Sequence, residues 1–238
     1  MEIDHPDKPS NSSLNQPKVR SVFGILLTLI RSEWTMDLKK PAVITAAGLQ
    51  IAAMALLSFL TQPHITPKIW NSLFWLVLIL CTLQAVSKNF LGINRSRWIY
   101  YNQLASPNFI LWSKMIYGII TMLILTLINL LLFGFFMGFP IEHIQAYFTN
   151  LFLVTAGISF VFTLIGAIAS KANQAGFLAP VLSLPVVLPI ILVGMKASNK
   201  TLNPVLVSSV WKDIALVGSL DFLILVLASA LFIPLWKD

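Results

Sequence analysis

The stretch Gly176–Met195, GFLAPVLSLPVVLPIILVGM, constrains this chain more than any other. Twenty apolar residues make about 30 Å of helix, enough for one bilayer crossing. Yet the stretch carries Pro180, Pro185 and Pro189, and each proline removes a backbone donor and crowds the carbonyl four residues back. In hydrocarbon the freed carbonyls need partners on neighbouring helices, on Ser183, or in a wet cavity. The segment therefore reads as a kinked span held by its neighbours. Its prolines run outward from the inner third, which predicts a kinked wall of an outer gate.

Composition agrees with a membrane setting. Of 238 residues, 57% are hydrophobic and 11% charged, against about 25% charged in soluble domains. The formal charge of +7 sits beside apolar spans rather than on a folded basic face. It is explained by the positive-inside effect, so nucleic acid is not an expected partner. The single cysteine, Cys81, lies in an apolar run, which excludes an intramolecular disulfide and a cysteine-rich metal site. Residues 1–20 are polar and rich in Pro, Ser and Asn, with no apolar core for a signal peptide, and read as a disordered tail.

Residues 21–40 place Phe23, Leu27, Ile30, Trp34 and Leu38 at helical spacing, with Arg31, Glu33, Asp37, Lys39 and Lys40 towards the end. The apolar part is too short to cross, so an interfacial amphipathic helix is expected. Six spans follow, near 42–60, 69–87, 115–137, 148–169, 176–195 and 214–235. The predicted fold class is all-α, six membrane helices plus the interfacial one, with 21–238 forming a single permease-like domain. Trp70, Trp112, Trp211 and Trp236 fall near span ends, where an aromatic belt is expected.

With the N-terminus inside, twelve Lys and Arg residues fall on the inner side and four, Lys68, Lys196, Lys200 and Lys212, on the outer. That bias predicts both termini in the cytoplasm. The outer loops around 61–68 and 138–147 are short, as is the inner link 170–175. The inner Lys88–Lys114 and the outer Lys196–Asp213 are longer, and long loops in a compact protein tend to carry function.

In the inner loop, Arg95, Arg97, Trp98, Tyr100, Tyr101 and Gln103 combine charge with aromatic area. That composition suits an anchor for a cytoplasmic partner. It equally suits a basic juxtamembrane loop touching anionic lipid. Ser106-Pro107 is expected to end a short helix along the membrane. Asp221 lies about ten residues past Trp211, deep in the last span, where a carboxylate is costly and marks either function or a packed polar pair. Gln50, Gln84 and Asn129 are read as bridges between helices, and Gly166 with Ser170 as a close-packing pair. His64 and His143 flank outer loops and are possible haem ligands or simply loop histidines.

No G-x-x-x-x-G-K-S/T, G-x-S-x-G, H-E-x-x-H or C-x-x-C-H occurs. An enzyme is not expected, no intrinsic cofactor is called for, and ATP would have to be bound by another chain.

The interfacial helix, six spans and amphipathic inner loop between spans two and three resemble permeases of the ABC-2 exporter type. More closely, the chain is similar to the haem exporter protein B family of bacterial cytochrome c maturation. The likeness is carried by Phe74–Met137, with WLVLILCTLQAVSKNF and QLASPNFILWSK, and by Phe177–Lys196, with LSLPVVLPIILVGMKAS. The inner loop departs from the family pattern, with Ser87, Lys88, Asn94 and Ser96 where acidic residues are expected among the basic ones. The resemblance implies a permease in the bacterial inner membrane, with a separate ATPase subunit docking on 88–114. It implies haem as cargo, haem-handling membrane subunits, a periplasmic haem chaperone as partner, and a homodimer as one assembly. Two alternatives stay open: export of a drug, lipid or polysaccharide, and a non-transporting scaffold for assembly factors.

Overall fold

Hydrocarbon leaves a backbone few ways to satisfy its polar groups, and this chain uses the helix. The computed structural model describes residues 45, 48–53, 56–57, 60, 65–89, 107–169, 175–203 and 207–237. Among them there are five full helices and no strand: α1 Pro67–Asn89, α2 Pro107–Met137, α3 Ile144–Ala169, α4 Ala175–Thr201 and α5 Val207–Lys237. Four stretches are long and apolar enough to cross a membrane: Leu111–Met137, Ile144–Ala169, Phe177–Thr201 and Ser209–Leu231. The apolar part of α1 is shorter, Pro67–Leu83. Within the expected first span, residues 45, 48–53, 56–57 and 60 are helical. The tail 1–20, the interfacial helix 21–40 and the inner-loop residues 90–106 lie outside the described residues.

Several boundaries follow from local chemistry. Pro67 and Pro107 open α1 and α2, where the missing N–H would have no partner in any case. Thr66 caps α1: its hydroxyl accepts from the Ile69 N–H (3.4 Å) and its carbonyl from the Trp70 N–H (3.0 Å). Pro107 thus starts a helix, and the short helix expected to end at Ser106-Pro107 lies outside the described residues. Gly138 leaves α2 with φ +80, a left-handed turn that a side chain would disfavour, and its N–H donates to Gly134 O (3.1 Å).

Two expectations at the end of α4 are corrected. The helix runs unbroken through Pro180, Pro185 and Pro189 and continues past Met195 to Thr201. The supposed long connection Lys196–Asp213 shrinks to residues 202–206, because α5 begins at Val207. The charges that suggested a loop, Lys196, Lys200 and Asp213, instead sit on helices and pair with one another.

The five helices run up and down, so the start of α1, the end of α2, the start of α3, the end of α4 and the start of α5 share one end, here the Gly138 end. At the centre stands α3, packed against α2, α4 and α5 and the most deeply buried of the spanning helices. Its inward residues explain this, since Ala146, Asn150, Thr155, Ala156, Gly157, Ser159 and Thr163 are small or hydrogen-bonding. In lipid, small residues let helices approach, because apolar bulk gains nothing over lipid tails. Large apolar side chains point outward, among them Phe135, Phe177, Leu131 and Phe222.

Candidate functional site

A nest of rings closes the Gly138 end. Trp70 and Phe74, one helical turn apart on α1, stack at 5.6 Å with 2° between planes. Phe133 of α2 meets both edge-on at 5.5 and 5.4 Å, and Trp75 meets Phe74 edge-on at 5.6 Å. Tyr147 of α3 completes the nest. Edge-to-face and offset pairs are the favourable aromatic arrangements. Trp70 is buried rather than interfacial, and its indole N–H donates to Gly138 O (3.1 Å). This corrects its expected place in the aromatic belt. Trp112 and Trp211 remain half-exposed, as a belt requires.

Beside the rings, a set of polar side chains grips the last turns of α4. The Asn71 amide donates to Met195 O (3.0 Å), and the Trp75 indole to Ser198 Oγ (2.8 Å) and Asn71 Oδ1 (3.1 Å). The Ser198 hydroxyl faces two acceptors, Asn71 Oδ1 at 2.8 Å and Met195 O at 3.0 Å. From α3, the Asn150 amide donates to Gly194 O (2.9 Å) and the His143 backbone N–H to Thr201 O (3.1 Å). That last bond joins an unfilled carbonyl at the end of one helix to a free donor at the start of another. Lys200 pairs with Asp213 of α5 at 2.6 Å, and the more exposed Lys196 lies 3.6 Å from the same carboxylate. Gly194 lies against Val154 so closely that no Cβ would fit.

Lower in the bundle, Asp221 of α5 is 5% exposed, and neither of its carboxylate oxygens has a hydrogen-bond partner. It presses on Gly157 of α3, where a Cβ would collide with Oδ1. A carboxyl in this position is costly.

Other singled-out residues fall as follows. Pro185 and Pro189 lie on the exposed face of α4, with Val181, Leu182, Val186 and Leu188, while Pro180 is half-buried. Ser183 donates to Pro180 O (2.8 Å). The prolines free the carbonyls of Gly176, Val181 and Pro185, so Ser183 does not serve them. Gln50 and Asn129 do bridge helices, donating to Leu125 O and Phe74 O at 3.3 Å each. His143 is half-buried at the start of α3, and its Nε2 and the Tyr147 hydroxyl one turn later are both buried without a hydrogen bond. His64, Arg95, Arg97, Trp98, Tyr100, Tyr101 and Gln103 lie outside the described residues.

Sequence reasoning overlooked Asn71, Trp75, Asn150 and Ser198. Their signal was present: isolated hydrogen-bonding side chains near the ends of apolar runs, where interhelical bonds form.

Comparisons of the chain with curated proteins and with solved structures returned no match. A family described as "CcmB protein" matches residues 24–233, nearly the whole chain. The all-helical bundle with its apolar spanning helices fits that match, and the chain belongs to the CcmB family, the haem exporter protein B family of cytochrome c biogenesis.

Proposed function

We propose that this chain is the permease subunit of an ABC transporter that delivers haem to the periplasm for c-type cytochrome biogenesis. The single observation that carries the reading is the family match over residues 24–233. The sequence adds that no phosphate-binding loop is present, so ATP turnover belongs to a separate subunit. That subunit docks on 88–114 through Arg95, Arg97, Trp98, Tyr100, Tyr101 and Gln103. Closure of an ATPase pair against this loop pushes on helices that, being close-packed, switch between discrete arrangements rather than bending continuously. Haem-handling membrane subunits and a periplasmic chaperone receive the output. The protein sits in the inner membrane with six spans and both termini in the cytoplasm, which the inward bias of Lys and Arg supports.

Deleting the gene should abolish holo-cytochromes c, and supplying this chain should restore them. Normal holo-cytochrome levels in the deletion would sink the reading. Purification in mild detergent tests the assembly, with an ATPase and haem-handling subunits expected to come with the chain.

A further inference from the structure

The two parts of α4 are held in different ways. From Gly194 to Thr201 the helix is tied by polar side chains of two neighbours. Asn71 bonds Met195, Trp75 bonds Ser198, Asn150 bonds Gly194, and the His143 backbone bonds Thr201. Lys200 adds the ion pair to Asp213, and Val154 fills the space against Gly194. From Phe177 to Leu192 the one side-chain hydrogen bond described is local, Ser183 to Pro180 O. This part meets the bundle through apolar residues such as Val187, Ile190 and Ile191, while Phe177, Val181, Leu182 and Leu192 face outward. Its backbone ladder lacks the three bonds that prolines cannot make.

Directional bonds fix register and orientation, whereas apolar contacts in lipid let surfaces slide at small cost, because lipid tails replace them equally well. A helix with missing ladder bonds also bends at those points. We infer that α4 is a lever, with Gly194–Thr201 as its fixed pivot and the proline-bearing arm Phe177–Leu192 as its moving part. The movement is then greatest at the Phe177 end of α4 and smallest at the Gly138 end. This reverses the expectation of a proline gate at the outer surface. The inference rests on the permease reading only for the force that drives the arm.

The test uses spin-label distances in the full chain, in lipid nanodiscs, on a Cys81→Ala background. A common reference label at Phe152 of α3, which is exposed, pairs with Leu182 on the arm or with Lys196 at the pivot. In the chain alone, the arm pair should give a clearly broader distance distribution than the pivot pair. Equal widths, or a broader pivot, would overturn the lever. In the complex with its ATPase, trapped with ATP and vanadate, the arm distance should shift by several ångström and the pivot distance should hold. A shift at the pivot, or none at the arm, would also overturn it. Joint Asn71→Ala and Ser198→Ala substitution should broaden the pivot distribution towards that of the arm. Failure to find an ATPase partner would count against the permease reading and leave the comparison of widths standing.

Discussion

Asp221 concentrates the sharpest tension at the scale of single residues. Its carboxyl is buried without a partner and is pressed by Gly157, so two changes there should act in opposite directions. Asp221→Asn keeps the shape and removes the chargeable group, and should leave the Tm of the purified protein unchanged or raised. A marked fall would reveal a partner for the carboxylate. Gly157→Ala adds a methyl where there is no room, and overpacking of this kind costs roughly 1–3 kcal/mol. It should lower the Tm, and Asp221→Ala in the same chain should recover part of the loss, as contacting residues do in a double-mutant cycle. Ser198 offers a second test. It accepts from Trp75 and donates towards Asn71, two interhelical bonds that in membranes average about 0.6 kcal/mol each. Ser198→Ala should therefore cost about 1 kcal/mol in an unfolding titration, and Asn71→Ala in the same chain should cost roughly a further 0.6 kcal/mol, because its amide still bonds Met195 O.

At the scale of the element, α4 shows what a sequence discloses and what it withholds. Its length and its three prolines were legible, because apolar run length and residue identity are local properties. Which neighbours hold it was not, since its partners Asn71, Trp75 and Asn150 lie far away in the chain. The end of the helix was misread for a related reason. Lys196, Lys200 and Asp213 look like loop residues by composition, and only the tight return of α5 brings them together as ion pairs. Trp70 carries the same lesson, because an aromatic near a helix end reads as an anchor until Phe133 and Tyr147 are seen to surround it. The lever has a consequence of its own here. Pro185→Ala with Pro189→Ala restores two ladder bonds and stiffens the arm, and proline costs a helix interior about 3 kcal/mol relative to alanine. The double variant should remain in the membrane at normal levels while holo-cytochrome c falls. Loss of the protein from the membrane would instead mark the prolines as folding elements.

Across the whole molecule, the all-helical class was readable from hydropathy, and family from two stretches that cover about half the chain. Helix neighbours were not, because the outward and inward faces of a membrane helix are both apolar and differ mainly in small and hydrogen-bonding residues. The central position of α3 rests on that difference. Function at this scale depends on the link to a partner. Arg95→Glu with Arg97→Glu should leave the chain in the membrane but reduce co-purification of the ATPase and lower holo-cytochrome c together. Unchanged co-purification would show that the loop sets topology or touches lipid rather than docking.

The bond from Trp70 to Gly138 spans 68 positions of the chain, and the bonds from Asn71 and Trp75 to α4 span more than 120. The partners that Trp70, Asn71 and Trp75 find on other helices are thus all synthesised after α1, whereas Cys81 has an earlier partner in Gln50. While the ribosome is still making α2, the Trp75 indole and Asn71 amide have only each other, and the helix must wait in the bilayer for segments not yet translated. Its final seat is set only when the end of α4 arrives, so the bundle is completed backwards, with an early helix locked by a late one. Chains stalled after residue 169 should leave α1 open to thiol labelling at a cysteine placed at Asn71, and chains extended past Asn203 should protect it. Equal labelling in both would mean that α1 finds its place without its late partners.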